Sequence, residues 1–86
     1  MRSTRFGKNV VVTGHARQRM AERNVDDALL LELVESGDIM PMGAGHMFIY
    51  RNFAGRRDNL VCAAAVEDGS LVIKTVMANW TVRRQS

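Results

Sequence analysis

The chain has 86 residues, which is enough for one modest hydrophobic core and too few for two ordinary domains. Hydrophobic residues make up 47% and charged residues 24% of it, a balance that is typical of a folded protein and excludes general disorder. Its apolar runs fall far short of the roughly 20 residues that a membrane span needs. We therefore expect residues 1–86 to form a single domain, with residues 1–9 as a flexible arm.

Charge is distributed unevenly along the chain. Residues 1–24 carry a net charge of +5, residues 25–50 carry −5 and residues 51–86 carry +3, which together make the overall charge of +3. Ten of the twelve basic residues are arginine, whose planar guanidinium suits contact with a phosphate through two hydrogen bonds. Charge alone therefore favours a polyanionic partner and a simple solvated basic surface equally.

The first half of the chain predicts a short strand followed by two helices. Residues 10–13 include a β-branched run that can begin a sheet. Residues 15–23 have the pattern of a short helix, with Thr13 as its capping residue. A second helix follows, with Asp26 as its cap, leucine and valine residues at the spacing of one buried face, and Gly37 at its end.

The second half of the chain predicts three strands. These strands are residues 46–53, 59–66 and 70–78. The Asp68-Gly69 pair between the last two is a strong hairpin signal. Alternation along the last strand places Thr75 on the same face as Leu71 and Ile73. The element order β-α-α-β-β-β predicts an α+β domain in which two N-terminal helices pack on one face of an antiparallel meander sheet.

The single cysteine limits the chemistry open to the chain. Cys62 excludes an intramolecular disulfide and a structural zinc cluster, and its place in a run of alanines predicts a small buried hydrophobic residue. The sequence also contains neither a glycine-rich phosphate loop ahead of a helix nor a GxSxG elbow. Several large enzyme classes are thereby excluded.

Side chains of the first helix carry the candidate chemistry. His15, Arg19 and Arg23 lie at positions i, i+4 and i+8 and therefore share one helix face. An imidazole can move a proton near neutral pH, and a guanidinium can stabilise the charge that builds on a phosphate in a transition state. Cleavage of RNA needs little else, because the nucleophile is the substrate's own 2′-hydroxyl group. By itself the spacing is weak evidence, since a histidine on a helix face is more often a structural residue.

The string TGHARQRMAERNVDD, the leucine-rich helix after it and the string VIKTVMANW carry a family resemblance. They are similar to a small domain family of unknown function that is grouped with the barnase-EndoU-colicin-RelE (BECR) ribonuclease toxins. Those toxins occur in toxin-antitoxin pairs and in contact-dependent growth inhibition systems. The shared pattern is His-Ala-x-x-Arg-Met-x-x-Arg in the first helix and a Thr-Val pair near the end of the last long strand. The resemblance covers about residues 10–78, and the chain departs from it in having Met77 where the family often has an aromatic residue.

The resemblance implies a BECR/RelE-like fold and a metal-independent endoribonuclease that needs no cofactor and cleaves RNA, for example tRNA or rRNA, by acid-base transesterification. It makes His15 the general acid or base, Arg19 the group that holds the scissile phosphate, and Thr75 a hydroxyl donor to the same phosphate. It also implies a cognate immunity or antitoxin protein, no membrane partner, and action in the bacterial cytoplasm. Delivery as the C-terminal domain of a secreted or cell-surface protein is one route to that compartment.

Five further residues are predicted to contact RNA. They are Arg23, Arg51, Arg56, Arg57 and Trp80. The arginines of the 51–57 segment form a basic hairpin that can follow an RNA backbone, and Trp80 can stack on a base. Each has a simpler alternative, namely a solvated charge or an aromatic residue at the edge of the core. His46 is a weaker candidate for a second proton-transfer group.

Two functions of other classes are compatible with the same residues. The first is a non-catalytic interaction module whose basic surface binds RNA or an acidic protein. The second is a DNA-binding regulator, which the short first helix and the acidic outer face of the second helix disfavour. Toxicity on expression distinguishes a nuclease from an interaction module.

Overall fold

The computed structural model describes residues 1–82, which form two helices and a six-stranded mixed sheet. In chain order the elements are β1 (Arg2–Ser3), β2 (Lys8–Val12), α1 (Gly14–Glu22), α2 (Asp27–Ser36), β3 (Asp38–Gly43), β4 (His46–Arg51), β5 (Val61–Asp68) and β6 (Ser70–Met77). The predicted α+β class is confirmed. Neither helix is long and apolar enough to cross a membrane. The last four residues of the predicted domain, 83–86, lie outside the described residues.

The strand order across the sheet is β1-β2-β6-β5-β4-β3. Strands β3 to β6 form an antiparallel meander. The sequence predicts three of these four strands, and β3 is the additional one. The first long strand, β2, pairs with β6 in parallel, with Val10 opposite Leu71 and Val12 opposite Ile73. The sheet is therefore mixed, and the prediction of a wholly antiparallel sheet is corrected. Parallel pairing requires a long crossover connection, and α1, α2 and the other meander strands provide it.

Residues 1–9, expected to be a flexible arm, are held against the rest of the fold. Strand β1 pairs with β2 in antiparallel orientation, and Ser3 is fully buried. The Arg5 guanidinium donates to the carbonyl oxygens of Val34 at 3.1 Å and Gly37 at 2.6 Å. These carbonyls belong to the end of α2, where a helix leaves acceptors without intrahelical partners. The arm therefore supplies hydrogen-bond donors to the C-terminal end of α2.

Both helices begin at the capping residues that the sequence predicts. The Thr13 hydroxyl accepts a hydrogen bond from the Ala16 amide at 3.1 Å, and the Asp26 carboxylate accepts one from the Leu29 amide at 2.8 Å. These bonds satisfy amide donors that the first turn of a helix leaves free. At the far end α2 stops before Gly37, as predicted.

The core lies between the two helices and one face of the sheet. Its largest fully buried aliphatic side chains are Leu30, Leu33, Val34, Ile49, Val61, Leu71, Ile73 and Val76. The short helix α1 buries only Ala16 and Met20, which form its single apolar edge. Cys62 is also fully buried, and burial raises the pKa of its thiol to about 12. It therefore behaves as the small hydrophobic residue that was predicted.

The Glu35 carboxylate makes the attachment of the N-terminal segment sensitive to pH. Hydrogen bonding from the Ser3 side chain, then from the Arg5 and Thr4 amides, lowers the pKa of Glu35, and the charge of Arg5 adds to the effect. The Arg5 amide lies 2.9 Å from Glu35 Oε2. A group whose pKa is lowered by folding contributes stability above its unfolded-state pKa and loses it as the pH falls through the folded-state value. We therefore expect the free energy of unfolding to decrease below the ordinary glutamate pKa of 4.5.

Urea unfolding at a series of pH values measures this effect. The Glu35→Gln variant should be less stable than the native protein near neutral pH, and the two should converge in acid. The exposed carboxylate of Asp38 provides the control, since Asp38→Asn should keep the native pH dependence. If the free energies of unfolding of Glu35→Gln and the native protein changed in parallel with pH, Glu35 would not be the source of the pH dependence.

Candidate active site

A β-bulge in β6 determines where the candidate site forms. Ala64 of β5 lies opposite Thr75, whereas the residue after Ala64 lies opposite Ile73, so Lys74 is an extra residue in β6. A bulge bends its strand and redirects the following side chains. Thr75 consequently leaves the core face, and Val76 takes the next buried position. The prediction that Thr75 shares a face with Ile73 is therefore wrong.

The start of α1 is attached to this bulge. The Thr13 amide donates to the Ile73 carbonyl at 3.2 Å, and the Thr13 hydroxyl donates to the Lys74 carbonyl at 3.3 Å. Because the same hydroxyl accepts from the Ala16 amide, Thr13 both caps α1 and fixes it to β6. His15, the second residue of α1, is thereby held beside the bulge.

Four polar side chains from three elements line one depression of about 550 Å³, which we call the candidate site. They are His15 from α1, His46 from β4, and Lys74 and Thr75 from β6. Thr75 is half-buried and the other three are exposed, so a ligand can reach all four. The cluster combines two imidazoles, an ammonium group and a hydroxyl, which are groups that can transfer protons and bind an anion.

Three neighbouring side chains of the sheet form the floor of the candidate site. Phe48, Ala64 and Thr75 lie side by side on β4, β5 and β6. The short side chain of Ala64 leaves a low point between its two larger neighbours. Met42 from β3 also lines the depression. A larger side chain at position 64 would fill this low point.

Arg19 and Arg23, predicted to act with His15, have other partners in the structure. Arg19 Nη1 donates to Glu22 Oε1 at 2.7 Å, and Arg23 Nη1 lies 3.6 Å from the same oxygen. The hydrogen bond from Arg19 is the main reason that the pKa of Glu22 is lowered. Arg19 is not among the residues that line the candidate site, and Arg23 lines a second groove. The helix spacing therefore brings His15 into the candidate site without either guanidinium.

The arginines of the 51–57 segment lie away from the candidate site. Arg51 Nη1 donates to Glu32 Oε1 at 2.9 Å, which connects β4 to α2. Arg56 forms two hydrogen bonds with Asp58, at 2.8 and 2.9 Å, and others with two carbonyls after α1. Hydrogen bonding from Arg56 is the main reason that the pKa of Asp58 is lowered. Arg57 is exposed, and contact of the three arginines with RNA stays a prediction.

Trp80 lies over two aromatic side chains of β4. Its ring centroid is 5.4 Å from that of Phe48 and 5.0 Å from that of Tyr50. Two backbone hydrogen bonds hold it there, from Trp80 N to Leu60 O at 3.1 Å and from Leu60 N to Trp80 O at 3.3 Å. Trp80 also lines the second groove, of about 1250 Å³, which shares Met42 and Phe48 with the candidate site.

Sequence reasoning missed one member of the candidate site and ranked another low. Lys74 is absent from the predicted site, because alternation along β6 is compatible with its exposure but does not show that it lies beside His15 and His46. His46 was a weak candidate, because nothing local connects the first residue of β4 with the start of α1. Its position directly after the turn glycine Gly45, whose φ is +79°, is equally expected of a polar residue that simply begins a strand.

A family model described as a domain of unknown function (DUF4258) matches residues 12–78. The matched range contains both helices, the whole meander and all four polar residues of the candidate site. No curated protein and no solved structure matches the chain significantly. Because the family match spans most of the 86 residues, the chain belongs to the DUF4258 family.

Proposed function

We propose that this protein is a metal-independent ribonuclease toxin domain of the BECR group, neutralised by a cognate immunity or antitoxin protein. One observation carries the proposal: His15, His46 and Lys74 line the same open depression. Two proton-transfer groups and a cation are what the cleavage of RNA by its own 2′-hydroxyl requires of a protein. The α+β architecture, with both helices packed on one face of the sheet, supports assignment to that fold group.

The proposed reaction is an acid-base transesterification. The 2′-hydroxyl oxygen of the substrate attacks the adjacent phosphorus while one of the imidazoles of His15 and His46 accepts the hydroxyl proton. The other imidazole donates a proton to the 5′ oxygen as the bond between phosphorus and that oxygen breaks. The products are a 2′,3′-cyclic phosphate and a 5′-hydroxyl end. Lys74 and the Thr75 hydroxyl stabilise the negative charge on the phosphoryl oxygens.

Arg19 keeps its predicted role in this proposal only as a second phosphate contact. Its guanidinium would have to exchange the Glu22 carboxylate for a phosphate. The Arg19–Glu22 pair is 2.7 Å long and about two-fifths exposed, and exposed ion pairs of this kind contribute little to stability because solvent screens them. Such an exchange therefore has a low energetic cost. Lys74, which already lines the candidate site, is the principal phosphate-binding group.

Incubation of the purified protein with tRNA and with total cellular RNA in the presence of EDTA tests the proposal. We expect cleavage, with fragments that end in a 2′,3′-cyclic phosphate. Expression in bacterial cells is expected to be toxic and to become tolerated when the cognate immunity protein is co-expressed. Absence of cleavage, or cleavage that depends on an added divalent metal, would contradict the proposal. Tolerated expression combined with RNA binding would support the non-catalytic interaction module instead.

The low floor of the candidate site leads to a separate prediction. Ala64→Leu should lower the rate of RNA cleavage by about tenfold or more, because displacement of a reacting group by about 1 Å can already cost a hundredfold. Ala64 is half-buried on the face away from the core, so the free energy of unfolding should change little. Ala28→Leu on the exposed face of α2 is the control. Native cleavage by a correctly folded Ala64→Leu variant would show that the substrate lies elsewhere.

A further inference from the structure

The groove beside the candidate site, which we call the aromatic groove, has the composition of a base-binding surface. Its side chains include those of Arg23, Met40, Met42, Phe48, Met77 and Trp80. Aromatic rings and thioether sulfurs make favourable contacts with flat π systems, and a guanidinium binds phosphate. The groove volume of about 1250 Å³ exceeds that of ordinary small-molecule sites, about 300–1,000 Å³. A nucleoside can therefore enter it.

The aromatic groove and the candidate site are parts of one continuous surface. Met42 and Phe48 line both of them. A substrate with its phosphate beside Lys74 therefore reaches the aromatic groove with an adjacent nucleotide. Arg23 lines the aromatic groove and not the candidate site, and it brings a guanidinium to the groove.

The tryptophan side of the aromatic groove is held in place by contacts within the protein. The backbone hydrogen bonds between Trp80 and Leu60 hold the tryptophan, and its ring rests on Phe48 and Tyr50. Trp80 remains half-buried, so part of its ring surface is still available in the groove. A preformed wall lowers the entropic cost of binding a ligand.

We propose that the aromatic groove binds an unpaired base of a nucleotide next to the scissile phosphate, so that the substrate is single-stranded RNA. This inference rests on the proposed ribonuclease function and names its substrate class. In a duplex a base is stacked on both sides and paired at its edge, and proteins that read bases with aromatic side chains bind them in loops, bulges and ends. Base pairing therefore keeps a duplex out of the aromatic groove.

Tryptophan fluorescence tests the proposal directly, because Trp80 is the one tryptophan of the chain. The probe is a short 2′-deoxy oligonucleotide, which lacks the nucleophilic hydroxyl and binds without being cleaved. We expect a saturable change in Trp80 emission and at least tenfold tighter binding of the single strand than of the same strand in a duplex. Equal affinity for the two forms, or no emission change with either, would overturn the proposal and leave the aromatic groove to a protein partner.

Two neighbouring residues of β3 provide matched variants. Met40 lines the aromatic groove, whereas Ile39 is 36% exposed and is not one of its lining residues. Met40→Glu should weaken oligonucleotide binding at least tenfold and raise the KM for RNA, with kcat within about threefold of the native value. Ile39→Glu should leave binding, KM and kcat unchanged. Native binding by a folded Met40→Glu variant would overturn the assignment of the groove.

The two proposals fail in different ways. If the protein binds the oligonucleotide with this pattern but cleaves no RNA, the ribonuclease function is wrong and the aromatic groove still binds unpaired bases. If RNA is cleaved while Met40→Glu leaves both oligonucleotide binding and KM unchanged, the ribonuclease function stands and the base-binding assignment is wrong.

Discussion

Replacement of His15 by alanine is expected to lower the rate of RNA cleavage by about 10²–10⁴-fold, the range that loss of a proton-transfer group produces. His15 lines the candidate site together with His46 and Lys74. Its side chain is exposed, so the variant should fold with native stability. Single-turnover cleavage of a defined RNA, with excess protein, measures the chemical step without a contribution from product release.

His46→Ala should cause a loss of similar size, and the double variant should be about as slow as the slower single variant. The reason is that groups acting together in one reaction step give strongly non-additive losses. Gln18→Ala, on the exposed side of α1, is the control. Cleavage by a folded His15→Ala variant within threefold of the native rate would remove His15 from the mechanism.

Truncation of Leu33 to alanine is expected to lower the free energy of unfolding by about 2–5 kcal/mol, the usual cost of a large cavity in a core. Leu33 is completely buried where α2 packs on the sheet. A domain of 86 residues has a total stability of about 4–13 kcal/mol at roughly 0.05–0.15 kcal/mol per residue. This single truncation therefore removes a large part of the stability.

Helix α2 also contains a control residue for the Leu33→Ala experiment. Leu31 lies on α2 two residues before Leu33 and is only half-buried, so Leu31→Ala removes the same atoms with a smaller loss of buried contacts. Urea unfolding of both variants should show a loss for Leu33→Ala at least twice that for Leu31→Ala. Equal losses would contradict the orientation of α2 against the sheet.

Local sequence signals were sufficient to predict the two helices and one hairpin. Thr13 and Asp26 cap the two helices through bonds to amides three residues ahead, and Gly69, with a φ of +68°, forms the turn between β5 and β6. Each of these features depends on residues only a few positions apart. Sequence alone can therefore predict them.

Pairing between distant segments was not predictable in the same way. The parallel contact of β2 with β6 joins Val10 to Leu71 across most of the chain, and no local pattern specifies it. The edge strand β3 contains Pro41, which has no amide hydrogen to donate and weakens the strand signal. Residues 1–9 were predicted to be a flexible arm. The hydrogen bonds of Arg5 with the end of α2 join distant segments of the chain, and no local pattern specifies them.

The sequence by itself determined the α+β class, the two helix starts and the burial of Cys62, because hydrophobic periodicity and capping are local properties. The resemblance singled out His15 and Thr75 as partners. Only the tertiary structure decided that they line one depression, since the bulge at Lys74 and the attachment of Thr13 to β6 position them. The same long-range packing added Lys74 and His46 to that depression, because strand register depends on residues far apart in the chain. The Arg19–Glu22 ion pair is local, at positions i and i+3, but that Arg19 is not among the residues lining the depression was decided by the tertiary structure.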